Sequence, residues 1–165
     1  MESTDMNALI KEYVNLTFHG MRASKQPINV DIQLDLDKDI VKIPVIAEDF
    51  SRVLVNLCNN AFDAMREKLK ADKSKENAFK PKLIARTKLV DNNIHIQIED
   101  NGPGIPDDIK ENILQPFFTT KKGTEGTGLG LSITNDIIKA HGGRLEVESK
   151  PGENTIITII LNNEN

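Results

Sequence analysis

Three clusters of residues carry types and spacings suited to chemistry. In Asn56-Leu57-Cys58-Asn59-Asn60-Ala61-Phe62-Asp63, the polar residues Asn56, Asn60 and Asp63 stand at i, i+4 and i+7, which on a helix makes one polar stripe. An amide oxygen in such a stripe suits a hard cation such as Mg²⁺, which takes a few protein oxygens together with water and substrate phosphates. The same side chains could equally cap or bridge their neighbours. The second cluster is Asp100-Asn101-Gly102-Pro103-Gly104, directly after the alternation Ile94, Ile96, Ile98. By period two, Asp100 continues the apolar face, and a carboxylate carried into a core needs a donor. The exocyclic amine of adenine is such a donor, whereas guanine presents an oxygen at that edge. Gly102 and Gly104 would let the backbone approach a flat ring without a Cβ in the way, although an ordinary Asp/Gly turn has the same composition. The third cluster, Gly126-Thr127-Gly128-Leu129-Gly130-Leu131, opens a helix. Free N–H groups and the positive end of the helix dipole make that a natural phosphate site, and its spacing differs from the dinucleotide fingerprint.

Between the second and third clusters lies Pro116-Phe117-Phe118-Thr119-Thr120-Lys121-Lys122-Gly123. Aromatic anchors, lysines and glycines at its far end suggest a mobile lid over a nucleotide. Thr120, Lys121 and Lys122 are its candidate phosphate contacts. The phenylalanines could instead pack beneath the loop, and the lysines could be solvated charges.

The elements that must position these clusters are legible from periodicity. Met6, Leu9, Ile10, Tyr13, Val14 and Leu16 predict an amphipathic helix from Met6 to Phe18 that ends near Gly20. Ile28, Val30, Ile32, Leu34 and Leu36 alternate as a half-buried strand. Phe50, Val53, Leu54, Leu57, Cys58, Ala61 and Met65 predict a helix from Glu48 to Leu69. The six lysines between Lys68 and Lys82 then read as a solvated connection. Strands follow around Lys82–Val90 and Asn93–Asp100, with Asp91-Asn92-Asn93 supplying the turn. A helix from Leu129 to Ala140 stops at Gly142-Gly143, and two strands joined at Pro151-Gly152 close the chain. Helices on one face of a mixed, mainly antiparallel sheet satisfy that order, an α+β two-layer sandwich.

The 165 residues, 38% of them apolar, suffice for one domain with its own core. A net charge of −4 argues against a nucleic-acid partner or contact with an anionic membrane. One cysteine, Cys58, excludes an internal disulfide framework and reads as a buried residue of a reducing compartment. The sequence shows neither a membrane-spanning run nor a signal peptide, so a cytoplasmic domain is expected. His19, His95 and His141 read as structural or surface histidines.

In this order the clusters resemble the nucleotide-binding boxes of the catalytic domain of sensor histidine kinases, within the superfamily of Bergerat-type ATPases that includes type II topoisomerases and mismatch-repair ATPases. The likeness runs from Glu48 to Leu161. Asn56 to Met65 is similar to the asparagine box, Asp100 to Ile105 to the first glycine box, Pro116 to Lys121 to the phenylalanine box of a lid spanning residues 105–127, and Gly126 to Leu131 to the second glycine box. The resemblance implies Mg²⁺ on Asn60, the adenine amine on Asp100 with Thr155 behind it, and ATP contacts from Asp63, Gly102, Gly104, Ile105, Gly126, Thr127, Gly128, Leu129, Gly130 and Leu131. Hydrolysing members carry a glutamate four residues before the metal-binding asparagine. Asn56 stands there, and an amide is no general base, which favours transfer to a histidine over hydrolysis. The acceptor histidine would lie on a separate dimeric helical hairpin, with a response regulator downstream. Residues 1–20 would be a remnant of the connection to that hairpin in a parent kinase that could itself be membrane-anchored. The alternatives are an ATPase of the same fold and a non-catalytic nucleotide-binding module.

Overall fold

A computed structural model of the chain describes residues 1–71, 79–106 and 128–162. Its elements are β1 (Glu2–Thr4), α1 (Met6–Arg22), β2 (Asp31–Asp35), β3 (Ile43–Val45), α2 (Ala47–Ala71), β4 (Lys82–Val90), β5 (Asn93–Asp100), α3 (Gly128–Ala140), β6 (Arg144–Lys150) and β7 (Asn154–Asn162). Five strands form one sheet in the order β2-β4-β5-β7-β6. The β2–β4 pair is parallel and the rest are antiparallel, as a chain that reaches β2 and β4 through a long helix and then folds back in hairpins requires. The expected mixed, mainly antiparallel sheet with helices on one face is what forms.

Alternation decides which face is covered. Leu83 and Ala85 of β4, Ile94, Ile96 and Ile98 of β5, and Ile157, Ile159 and Leu161 of β7 are buried in one cluster with the helices. Their helical partners are Met6, Ile10 and Val14 of α1, Phe50, Leu54, Leu57, Cys58, Ala61 and Met65 of α2, and Ile138 of α3. Cys58 lies fully inside, and burial pushes its thiol up to about 12, which makes it an inert core residue. The outer face carries the cross-strand pair Arg86–Glu99 at 2.7 Å and the Gln97–Thr158 hydrogen bond.

Two local expectations are corrected and one pairing is new. Helix α1 runs through Gly20 to Arg22, because an exposed glycine costs a helix only about 1 kcal/mol relative to alanine and the buried Met21 continues the apolar stripe. The strand β2 is shorter than its alternation, with Ile28 and Val30 buried outside it. A two-stranded ribbon of β1 and β3 pairs Glu2 with Val45 and Thr4 with Ile43. Segments of three residues are too short to show a period.

His141 does more than end α3. The Ile46 N–H donates to its Nε2 at 3.1 Å, and its Nδ1 lies 2.8 Å from the Ile137 carbonyl, so the proton resides on Nδ1. The ring also meets Phe50 edge to face, with centroids 4.9 Å apart. The C-terminal end of α3 is thereby set against the N-terminal end of α2, and the glycine-rich end of α3 points away from Ile46. Substituting His141→Ala should lower stability by about 1–2 kcal/mol through the lost hydrogen bond and ring contact; urea unfolding of the two proteins measures it.

Candidate functional site

Asp100 ends β5 on the buried face, opposite Leu83 of β4 and Thr155 of β7. It is 7% exposed. Burial pushes its carboxyl up to about 7; the Gly102 N–H and Lys68 pull the other way, while Glu99 adds to the rise. Its Oδ1 accepts the Gly102 N–H at 2.8 Å. Among the described residues no hydrogen bond reaches its Oδ2. A buried carboxylate with an open acceptor oxygen is an unfavourable arrangement unless a donor arrives from outside the chain.

The turn after Asp100 is held from three sides. Asn101 accepts the Lys82 N–H with its Oδ1 at 2.9 Å and donates from Nδ2 to the Lys80 carbonyl at 2.8 Å, fixing the turn to the start of β4. Gly102 packs on α2: a Cβ there would stand 3.2 Å from that of Ala64 and 2.8 Å from Asp100 Oδ1. Gly104 has φ of +73°, and a Cβ on it would meet the Lys150 carbonyl oxygen at 2.5 Å. Ser149 Oγ then accepts the Ile105 N–H at 2.6 Å. The glycines therefore keep the backbone within reach of α2 on one side and β6 on the other, where any side chain would collide.

Helix α2 brings the asparagine stripe to this turn. Ala64, which Gly102 touches, is one turn beyond Asn60 and two beyond Asn56. Asp63 faces differently: it pairs with Arg66 at 2.8 Å and lines a cleft of ≈ 640 Å³ between α1 and α2, together with Asn59, Phe62 and Met21. The stripe thus splits between two sides of the helix. The start of α3 at Gly128 places the backbone of Gly128, Leu129 and Gly130 in its first turn, where N–H groups lack intrahelical acceptors; Leu131 follows, half-buried. Gly126 and Thr127, and the lid candidates Thr120, Lys121 and Lys122 with Phe117 and Phe118, lie outside the described residues, as does most of the lid.

Among the described residues no three His, Cys, Asp or Glu side chains cluster as a metal cage. Asn60, one helical turn before the Ala64 that packs on Gly102, carries an amide oxygen of the type that fits a cation such as Mg²⁺ drawing its remaining ligands from phosphates and water. No helix among the described residues is long and apolar enough to cross a membrane.

Lys68 was not anticipated. The structure carries α2 on to Ala71, so Lys68 and Lys70 belong to its last turns and not to a solvated connection. The i, i+4 stripe extended from Asn60 through Ala64 reaches Lys68, which already falls inside the helix expected to run to Leu69; the structure adds two residues beyond it. Ser149 was also missed, since nothing in its strand's alternation distinguishes it.

The family model described as histidine kinase-, DNA gyrase B-, and HSP90-like ATPase matches residues 45–165. The chain is 37% identical over 136 residues to sensor kinase CckA of Brucella abortus, covering 81% of this chain and 14% of that protein. It is 35% identical over 144 residues to sensor protein FixL of Bradyrhizobium diazoefficiens, covering 87% and 26%. The chain thus spans about a quarter or less of these relatives. In structure it is similar to the nucleotide-free catalytic domain of histidine kinase ThkA, with a TM-score of 0.76, 30% identity and 99% of each chain covered.

Proposed function

This chain belongs to the histidine kinase-, DNA gyrase B-, and HSP90-like ATPase family, and from that premise we propose how its residues serve an ATP-dependent phosphotransferase. It is the ATP-binding catalytic domain of a sensor histidine kinase. The observation that carries the assignment of residues is Asp100, a buried carboxyl with one oxygen held by Gly102 and the other open. An adenine amine donating to Oδ2 satisfies that oxygen, and Thr155 lies directly across the sheet. Gly102 and Gly104 hold the turn close against α2 and β6, where a Cβ would collide, and so keep the backbone beside Asp100 in place for the ring edge. The first-turn N–H groups of α3 receive phosphate oxygens, joined by Gly126, Thr127 and the lid residues Thr120, Lys121 and Lys122. Asn60 supplies an amide oxygen to Mg²⁺, which neutralises phosphate charge when bound.

The γ-phosphoryl passes to a histidine on a separate phosphoacceptor domain, and a response regulator takes it onward. Asn56 stands where an activating base would be needed for hydrolysis, and its amide cannot accept a proton, so this chain positions the donor and leaves activation of the nucleophile to the acceptor domain. The domain works in the cytoplasm.

Thermal unfolding with Mg²⁺ and a non-hydrolysable ATP analogue tests this reading. Binding at a hundredfold excess over Kd should add about 2.7 kcal/mol, with no rise for the GTP analogue. No rise at millimolar ATP analogue would oppose it, and steady phosphate release by this chain alone would point to an ATPase. In Asn60→Ala, the Mg²⁺-dependent part of the affinity should fall about tenfold, the cost of one charge-assisted contact; titration calorimetry with and without Mg²⁺ separates the two parts.

A further inference from the structure

The Lys68 ammonium is half-buried beneath the turn that follows Asp100. It donates to the Asn101 carbonyl at 3.0 Å and to the Gly152 carbonyl of the β6–β7 turn at 3.1 Å, with a longer contact of 3.5 Å to the Gly102 carbonyl. The Phe79 ring centroid lies 4.5 Å away. An ammonium has three donors, and here all three are directed at main-chain oxygens of two segments distant in sequence, with a ring beside them. A surface lysine of a solvated helix end does not hold such a position.

One of those carbonyls matters more than the others. The Asn101 carbonyl that takes the Lys68 proton belongs to the same peptide unit as the Gly102 N–H that is donated to Asp100 Oδ1. Lysine, peptide and carboxylate therefore form a continuous chain of hydrogen bonds, in which each bond polarises the next. The ammonium also attracts the Asp100 carboxylate directly. We propose that Lys68 is a positioning residue of the base pocket: through the Asn101–Gly102 peptide it orients the Asp100 carboxylate and locks the glycine turn against α2 and the β6–β7 turn. The proposal rests on the assignment of the adenine amine to Asp100.

Lys68→Met keeps the length and apolar stem of the side chain and removes the donors. In this variant the Gly102 amide should exchange with solvent about tenfold faster in the ligand-free chain, the effect of losing a charge-assisted bond on its peptide, while core amides such as Ile96 keep their protection. The preference for ATP over inosine triphosphate, which has an oxygen in place of the amine, should narrow by a similar factor because ATP binding weakens and inosine triphosphate binding does not. Lys68→Arg, which keeps charge and donors in a planar arrangement, should restore part of both. A folded Lys68→Met chain with wild-type protection at Gly102 and wild-type base preference overturns the proposal. A native chain that fails to distinguish ATP from inosine triphosphate overturns the base assignment, and with it this role for Lys68, even where the Gly102 amide loosens.

Discussion

The Asp100→Ala chain is expected to bind ATP about 10- to 100-fold more weakly than the native chain, the range for losing a hydrogen bond to a charged group, and to lose its preference over GTP. Titration calorimetry with a non-hydrolysable analogue measures both. The effect is large because the carboxylate's second oxygen makes no hydrogen bond within the described residues while the residue as a whole is buried: without it, the adenine amine would be desolvated with no acceptor. The fold should survive, since the carboxylate makes a single internal hydrogen bond, to the Gly102 N–H, and its strand neighbours Ile98, Thr155 and Ile157 supply the packing. Unchanged ATP affinity in a folded Asp100→Ala chain would remove the site assignment.

The same residue sets a pH dependence of stability. Asp100 has its carboxyl raised from 3.8 to about 7 in the folded chain, chiefly by burial. Between these values the native state retains a proton that the unfolded state has released, so stability falls as pH rises through this window. The contribution is fully present below 3.8 and lost as pH passes about 7. Asn in place of Asp has no charge to bury. Asp100→Asn should therefore gain stability over the native chain on going from pH 5 to pH 8, by an amount on the order of 2–4 kcal/mol, while binding ATP less well. Melting curves of both proteins at the two pH values give the difference. A site that costs the empty domain stability and recovers it on binding is expected where function and folding make opposite demands on one carboxylate.

Much of this arrangement was legible because it follows from period. The β4 and β5 strands are found at Lys82–Val90 and Asn93–Asp100, since a half-buried hairpin writes its alternation into the chain and Asp91, with φ of 55°, sits in the tight turn that separates the two runs. That alternation also places Asp100 on the inner face, where the structure finds it. What escaped depends on contacts between distant segments. Lys68, two turns beyond Asn60 on the same stripe, reads as a solvated charge because lysine is usually one; only the approach of the turn after β5 and of the β6–β7 turn gives it acceptors. The separation of Asp63 from Asn60 likewise turns on about 60° of helical rotation, less than a sequence pattern resolves, and is decided by Arg66 pairing with Asp63 while donating from Nε to the Gln26 carbonyl. The His141 bond to Ile46 joins residues 95 apart in sequence, which no local signal records.

Gly104→Ala should be the most damaging single methyl group among the described glycines at the site. At φ of +73°, an alanine is strained by about 1–2 kcal/mol even in open space. Here the added Cβ would also lie 2.5 Å from the Lys150 carbonyl oxygen, 3.0 Å from its carbon and 3.0 Å from Ser149 Oγ. Two of those atoms are backbone of a paired strand, which cannot rotate aside, so either β6 shifts against β7 or the turn lifts off it. Overpacking of that kind costs a further 1–3 kcal/mol or so, and lifting the turn would break the Ile105–Ser149 hydrogen bond. Gly142→Ala provides the comparison: its φ is +77°, yet nothing lies within 4 Å of the added Cβ, so it should show the backbone strain alone. Urea unfolding should rank native, Gly142→Ala and Gly104→Ala in decreasing stability, with the last some 2–5 kcal/mol below native. ATP affinity should fall with Gly104→Ala and hold with Gly142→Ala. Equal losses in the two variants would mean that the close approach to β6 is not what the glycine is there to allow.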